Sequence, residues 1–281
     1  MSRRLLILRN VLKSWAVVFA LGLLFGAIGW KLGGYSVGLL FLGSIVLLAA
    51  AVYWYADRIV MGMVGARELL PGEAPAVHST LERLAARAGV VKPRLYVLPG
   101  AYPRALAAGR GAGGGAGLAL SVGMIGVAAP AELEGIIGHE LAHLRHRDVL
   151  VQTIAVVVAT VVVESSRVGG FLQRAFLFVL GPIGAAFVHL LLSPKREYLA
   201  DRFAAEVCGS PHGLADALLR LEQAMTLIAF EGSPATEPLY TTNPFAEEGL
   251  AALFATHPPV EERVRRLREL DPDWRQKLRA A

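Results

Sequence analysis

The stretch Gly138–His143 carries the residues of this sequence that could do hydrolytic chemistry. Two histidines, His139 and His143, lie four residues apart, and Glu140 directly follows the first. On a helix, residues four apart project from the same face, so both imidazoles could bind one zinc ion at about 2.0–2.1 Å. Glu140 is not expected to bind the metal, but it could reach a water there and act as general base. The pattern predicts a catalytic zinc site if a third ligand exists.

The residues around this stretch predict that it is helical. Pro130, followed by the acids Glu132 and Glu134, is typical of a helix start. Apolar residues then recur at helical spacing and would pack one face against the protein: Leu133, Ile136, Ile137, Leu141 and Leu144. The alternative is a basic helix end whose histidines lie at the surface. A third ligand decides between the two interpretations.

A second helical stretch, 194–205, offers that third ligand. Glu197 would complete a site of two histidines and one glutamate, leaving the fourth position open for water and substrate. Asp201 follows one turn later on the same face, where it could accept a hydrogen bond from a ligand imidazole and fix its orientation. The alternative for Glu197 is a solvated partner of Arg196 or Arg202.

The composition of the 281-residue chain indicates a membrane protein. Hydrophobic residues make up 54%, and charged residues only 18%, against about a quarter in soluble domains. The formal charge of +5 comes without long basic runs, so we expect no nucleic-acid partner, and lipid headgroups are the more plausible partner for the juxtamembrane positive charges. The single cysteine, Cys208, excludes an intrachain disulfide and any C-x-x-C metal site.

Apolar runs divide the chain into four parts. Residues 1–56 predict two transmembrane helices, and 149–193 predict a membrane hairpin of two spans, with partial packing against the soluble part as the alternative. The peptidase domain would then consist of 57–148 and 194–281. In a four-span arrangement most lysines and arginines near the span ends fall on one side, which predicts that the soluble parts face the cytoplasm.

The soluble parts predict mostly helices with a small β-sheet. Predicted elements are the end of a helix at Arg67–Gly72, a helix at His78–Ala88, and strands at Arg94–Leu98, Arg104–Ala108 and Leu118–Val122. Gly109–Gly117 predicts a flexible loop and lacks the Gly-Lys-Ser/Thr of a phosphate-binding loop. Pro259–Leu270 predicts an amphipathic helix with Val260, Val264 and Leu267 inward.

Three motifs together resemble those of the M48 zinc metalloproteases, and within them the bacterial HtpX-like membrane proteases. They are His139–His143 followed by Arg147-Asp148, then Arg196–Asp201, then Thr256–Arg263. The resemblance covers nearly the whole chain, including the apolar runs. It implies a gluzincin-type endopeptidase in the bacterial cytoplasmic (inner) membrane, multi-pass and facing the cytoplasm. Such an enzyme uses one zinc ion to cleave polypeptides, above all damaged or misassembled membrane proteins, during stress.

The resemblance also implies a role for each matching residue. His139, His143 and Glu197 would be zinc ligands, Glu140 the catalytic base, and Asp201 the acid that orients a ligand. His257 matches a His-Pro motif close to the active site and is expected to stabilise the oxyanion; a cap on the following helix is the alternative.

One departure from the branch concerns the edge strand that pairs with substrate. The branch has an asparagine where this sequence has Arg104. An alternative function for the whole chain is a non-catalytic membrane scaffold or stress sensor that keeps the fold, although the intact Glu140 favours an enzyme. An intramembrane protease is disfavoured because charged residues flank Gly138–His143.

Overall fold

The computed structural model of the chain describes residues 3–149, 152, 194–227, 257–271 and 273. The helices in this part are α1 (Arg3–Met63), α2 (Pro75–Ala88), α3 (Val122–Val127), α4 (Pro130–His146), α5 (Pro194–Cys208), α6 (His212–Leu227) and α7 (Val260–Glu269). The strands are β1 (Arg67–Glu68), β2 (Arg94–Leu98), β3 (Ala105–Gly109) and β4 (Ala116–Ser121). The described part is thus mostly helical with a small mixed sheet, as the sequence predicts.

The four strands form one sheet in the order β1-β2-β4-β3. β2 and β4 run parallel, with Arg94 opposite Gly117, while β3 and β4 form an antiparallel pair in which Ala105 lies opposite Leu120. In this order β3 is the last strand, so it stands at one edge of the sheet. Three of the four glycines in the loop between them, among them Gly111 with φ 95°, adopt positive φ angles that other residues rarely reach.

Both faces of the sheet are covered. Successive side chains of a strand point to opposite faces, so alternate residues belong to different cores. Tyr96, Leu106 and Ala119 pack on one face against Val60 and Met61 from the end of α1. The residues between them face the core formed with α2, α4 and α6, for example Leu95, Ala107 and Leu118. The sheet therefore connects the apolar N-terminal helix to the helix of the histidines.

Helix α1 folds back on itself at Gly33 and Gly34. These two glycines have non-helical angles, with φ −155° and 73° respectively. A Cβ atom at Gly22 would lie 3.3 Å from Leu42, although twenty residues of continuous helix span about 30 Å. The two arms are therefore antiparallel. They approach closely, since a Cβ atom at Gly29 would lie 2.8 Å from the carbonyl oxygen of Val37.

Large apolar side chains cover the outside of this hairpin. Within the part of the chain that the structure describes, one helical stretch, Val18–Ala51, is long and apolar enough to cross a membrane by length and composition. Trp15, Phe19 and Leu47 are all more than 55% exposed to solvent. An exposed apolar surface of this kind requires lipid or another partner. The predicted hairpin at 149–193 lies outside the described residues, apart from Val149 and Gln152.

Several sequence-predicted boundaries differ from the structure. Strands β3 and β4 are shifted from the predicted strands, so the loop predicted at Gly109–Gly117 spans only 110–115. Arg67 and Glu68 were expected at a helix end, but they form β1, which pairs with β2, and α1 already ends at Met63. Residue 56, the predicted end of the membrane part, lies within α1. The helix continues because Ala56, Val60 and Met61 are buried against the protein. The number of apolar residues in the sequence does not reveal this contact. The predicted strand Arg94–Leu98 is confirmed without change.

Helix α4 crosses its neighbours at very short range. A Cβ atom at Gly135 would lie 2.5 Å from the backbone nitrogen of Leu214 on α6. A Cβ atom at Gly138 would lie 2.9 Å from the sulfur of Cys208 on α5. Only glycine permits the approach at Gly135. At Gly138 a Cβ atom would also lie 3.4 Å from Cα of Ala204, so α5, which carries Glu197, packs closely beside the histidines of α4.

Candidate metal centre

The helix of the two histidines is held firmly at both ends. At its start, the Glu132 carboxylate accepts a hydrogen bond from the Ala129 backbone N–H at 2.9 Å and two from the Arg220 guanidinium at 2.8 and 2.9 Å. At its end, Arg147 adopts the left-handed conformation and donates its backbone N–H to the carbonyl oxygen of Leu144. The predicted helix start at Pro130 is confirmed.

His139, His143 and Glu197 meet at a buried point in the protein. One ligand atom from each lies within 4.8 Å of the others. The Nε2 atoms of the histidines are 3.1 Å apart, and Glu197 oxygens lie 3.4 Å from Nε2 of His139 and 3.8 Å from Nε2 of His143. All three side chains are at most 4% exposed. The structure therefore brings together the three residues that the sequence singled out as ligands.

These separations fit a small tetrahedral ion. Bonds of about 2.0–2.1 Å at tetrahedral angles place ligand atoms about 3.3 Å apart. Neither carboxylate oxygen of Glu197 accepts a hydrogen bond of normal geometry from a described residue, although both oxygens are buried. Buried carboxylate oxygens are costly without a donor or a cation. The residues present thus fit a metal ion bound by two imidazoles and one carboxylate.

Each histidine also has a carboxylate on the far side of its ring. Nδ1 of His139 lies 2.9 Å from Asp201 on α5, as the sequence predicts. Nδ1 of His143 lies 3.1 Å from Asp148, a residue to which sequence reasoning gave no role of its own. An imidazole whose Nδ1 donates to a carboxylate keeps its Nε2 lone pair for a metal.

Arg263 is the site residue that sequence reasoning missed. It lies on α7, is 0% exposed, and donates two hydrogen bonds to Asp201 at 2.9 and 2.7 Å. Its guanidinium also reaches within 4.0 Å of Glu197. The available signal was its position: on the amphipathic helix it falls between Val260 and Val264, on the inward stripe. An arginine on a buried stripe needs an anionic partner.

The charged groups of the site shift one another's pKa values. Burial alone would raise the pKa of the Glu197 carboxyl, but His257, His143, His139 and Arg196 outweigh it and hold this pKa well below its usual range. Burial would lower the pKa of His139, but its hydrogen bond to Asp201 and its contact with the Glu197 carboxylate raise it to about 9. Without a cation, these carboxylates thus favour the protonated form of His139.

The charge balance of the cluster also favours a divalent cation. Among the described residues, the buried carboxylates here are Glu140, Glu197, Asp148 and Asp201, and the buried guanidiniums are Arg196 and Arg263. With neutral imidazoles, two negative charges remain uncompensated in a low-dielectric interior. A divalent cation would neutralise them, which explains why so many acids can be buried together.

Comparison with known proteins identifies the family. The sequence profile of peptidase family M48 matches residues 71–271, which is most of the chain and includes every element of the cluster. The chain belongs to peptidase family M48. This confirms the resemblance drawn from its three motifs.

Curated relatives extend the match over the membrane part. The M48 peptidase is 36% identical over 276 residues to a protease HtpX homolog of Pelotomaculum thermopropionicum, covering 92% of this chain and 98% of that protein. It is 37% identical over 272 residues to a protease HtpX homolog of Pyrococcus abyssi, covering 90% and 93%. The crystal structure of S. mikatae Ste24p aligns with 93% of this chain and 66% of that one, at 18% identity and a TM-score of 0.49. The family match and the HtpX relatives show that the chain is a membrane-associated metalloprotease.

Two further predicted residues of this M48 peptidase lie at the cluster. Glu140 is 2% exposed, and its charge acts on Arg263. His257 is buried, with its Nε2 atom 3.8 Å from Glu197. Both side chains therefore lie beside the cluster.

Arg104, which replaces the asparagine of the branch, immediately precedes the edge strand β3. Its guanidinium donates a hydrogen bond to the carbonyl oxygen of Pro99 at 3.0 Å, and its backbone N–H donates to the hydroxyl of Ser121 at 3.0 Å. The substitution therefore leaves the start of β3 firmly anchored to β4.

Proposed function

We propose that this M48 peptidase is a zinc endopeptidase whose ion is held by His139, His143 and Glu197. The observation that carries the proposal is the meeting of these three buried side chains, with their ligand atoms within 4.8 Å of one another. Two imidazoles and one carboxylate form a donor set typical of catalytic zinc, which keeps a fourth position for water or substrate.

Residues of the chain carry out the proton transfers and orient the metal ligands. When bound, a zinc ion acts as a Lewis acid that polarises the substrate carbonyl and lowers the pKa of a coordinated water. Glu140 takes the proton of the attacking water and returns it to the leaving amine. Asp201, held by Arg263, keeps His139 in the tautomer that presents Nε2.

We assign to His257 the stabilisation of the oxyanion that forms on the substrate. It is buried beside Glu197 without belonging to the ligand set, and Pro258 restricts its backbone to extended conformations. Loss of one oxyanion donor costs on the order of 10²–10³ in turnover. His257→Ala should therefore slow cleavage with metal content unchanged, whereas a helix cap would change the melting temperature instead.

The substrates we propose are polypeptides, above all damaged or misassembled membrane proteins. The relatives are proteases, and the exposed apolar hairpin of α1 would hold the enzyme in the same bilayer as such substrates. Strand β3 stands at the sheet edge, where an extended substrate segment could add as a further strand.

We also propose a multi-pass arrangement in the bacterial inner membrane with the peptidase domain facing the cytoplasm. The support is the two-armed hairpin of α1, the second pair of apolar runs at 149–193, and the excess of lysine and arginine on one side. Reporters fused after Ala56, after Asp148 and at Ala281 should all read as cytoplasmic. A reporter within 164–170 should read as external; a cytoplasmic signal there would rule out the second pair of spans.

The experiment that tests the function uses the full chain purified in detergent. We expect about one zinc ion per chain by elemental analysis and cleavage of an unfolded casein-type substrate. A chelator should abolish cleavage, and added zinc should restore it. A preparation that cleaves at the same rate after complete metal removal would refute the metallopeptidase mechanism. A zinc-loaded, folded preparation that cleaves no unfolded polypeptide would refute the endopeptidase activity.

A further inference from the structure

The two histidines of the site differ in where their supporting carboxylates come from. Asp201, which supports His139, lies on α5 four residues after Glu197, and Arg263 on α7 holds it. Asp148, which supports His143, lies just beyond the end of α4 itself. The support of His143 therefore depends on how the chain leaves the helix.

The chain leaves α4 through a turn that returns Asp148 to His143. Arg147 has φ 56° and ψ 36°, and among the described residues it is the one residue other than glycine with a positive φ. This turn lets the backbone N–H of Asp148 bond to the carbonyl oxygen of His143 at 3.3 Å. It also brings the two carboxylate oxygens to 3.2 and 3.1 Å from Nδ1 of the same residue. Backbone and side chain of Asp148 thus bind one histidine together.

A second layer of contacts surrounds this pair and leads to the third ligand. With the amide of Gln152 oriented so that its oxygen faces Arg196, it accepts hydrogen bonds from both terminal nitrogens of that guanidinium at 3.1 and 3.2 Å. Nε of Arg196 lies 3.2 Å from a Glu197 oxygen. The charge of Arg196 also acts on Asp148: burial would raise the pKa of that carboxyl, but His143, Arg196 and His146 lower it. Asp148 and Glu197 therefore share one buried cation.

We propose that Asp148 is a positioning residue that accepts the Nδ1 hydrogen of His143 and so directs the Nε2 lone pair of this imidazole at the metal. Without this acceptor the ring could rotate, or carry its hydrogen on Nε2, and both changes remove a ligand atom from the ion. The inference rests on the metal site proposed above. A carboxylate in this place typically contributes 10- to 100-fold to metal affinity.

The alternative is that Asp148 only stabilises the end of α4. Asp57 provides the matched control, since it is equally buried (2% exposed against 3%) and also pairs with an arginine, Arg94. It lies on α1 and has no contact with the histidines among the contacts described. A purely structural role predicts similar consequences for the loss of either carboxylate.

The test compares zinc retention in the full-length purified chain and its Asp148→Ala, Asp148→Asn and Asp57→Ala variants. A colorimetric chelator reports the zinc dissociation constant, and thermal unfolding in detergent reports stability. We expect a 10- to 100-fold weaker zinc affinity for Asp148→Ala. Asp148→Asn should show a smaller but measurable loss, because a neutral amide oxygen accepts the hydrogen less strongly than a carboxylate does. Asp57→Ala should lower the melting temperature and leave zinc affinity unchanged. If Asp148→Ala does not fold, the Asp148→Asn affinity decides.

Three outcomes would overturn the inference. Wild-type zinc affinity in Asp148→Ala, or in Asp148→Asn where that variant decides, removes the positioning role while leaving the proposed endopeptidase intact. An equal loss of affinity in Asp57→Ala shows that the effect follows general stability. A wild-type chain that binds no zinc refutes the proposed function itself, and the positioning role with it.

Discussion

Glu140→Gln is expected to abolish peptide hydrolysis while zinc stays bound. Glutamine has nearly the same shape as glutamate, and His139, His143 and Glu197 remain in place as ligands. What is lost is the group that accepts the proton of the attacking water. General base catalysis contributes about 10²–10⁴ to a rate, so turnover should fall by at least that order. Initial rates on an unfolded substrate measure the loss of hydrolysis, and the zinc content of the variant measures whether the metal stays bound.

Glu134→Gln supplies the control on the same helix. It makes the same chemical change six residues earlier, where the carboxylate is 31% exposed and pairs with Arg83 at 2.5 Å. A partly exposed pair of this kind contributes about 0–1 kcal/mol, so activity should remain near that of the wild type. A Glu140→Gln enzyme that kept its full turnover with zinc bound would show that another residue is the base.

Glu197→Ala is expected to lose the metal and, with it, the activity. Glu197 contributes the only carboxylate among the three proposed ligands, and it is completely buried. Its removal leaves two imidazoles, which bind zinc far more weakly than three ligands do. Because a ligand that binds the folded state stabilises it, chelation should lower the melting temperature of the wild type and leave that of the variant unchanged.

Glu206→Ala tests whether the loss is specific to the site. Glu206 lies on the same helix, α5, but its side chain is 62% exposed and pairs with Arg202 at 3.3 Å. This variant should keep its zinc and its chelator-dependent melting temperature. Full zinc occupancy in Glu197→Ala would instead mean that the third ligand is another residue.

Local periodicity explains why the sequence alone predicts so much of this site. A helix of 3.6 residues per turn places His139 and His143 on one face whatever surrounds them, and the same rule relates Glu197 to Asp201. Likewise, the composition of the short run Arg94–Leu98 by itself favours a buried strand. Features that depend only on residues close together in the sequence could therefore be predicted from the sequence.

Two of the residues that support the ligands, Arg263 and Asp148, could not be derived in this way. In sequence, Arg263 is one of several arginines on a short polar helix, and only the packing of α7 against α5 removes it from water and pairs it with Asp201, 62 residues away. Asp148 gains its contact through the left-handed turn at Arg147, where glycine would be the usual residue. Neither contact follows from a repeat along one element.

The sequence by itself determined the spacing of His139, Glu140 and His143, the common face of Glu197 and Asp201, and the apolar runs, because helical spacing and hydrophobicity are properties of single segments. Only the tertiary structure decided how these segments meet. Helix α5 reaches α4 because Gly138 lets the two backbones approach, and α1 folds back because Gly33 and Gly34 leave the helical conformation. The buried carboxylates and guanidiniums then lie together, since each charge removed from water needs a partner from a distant part of the chain.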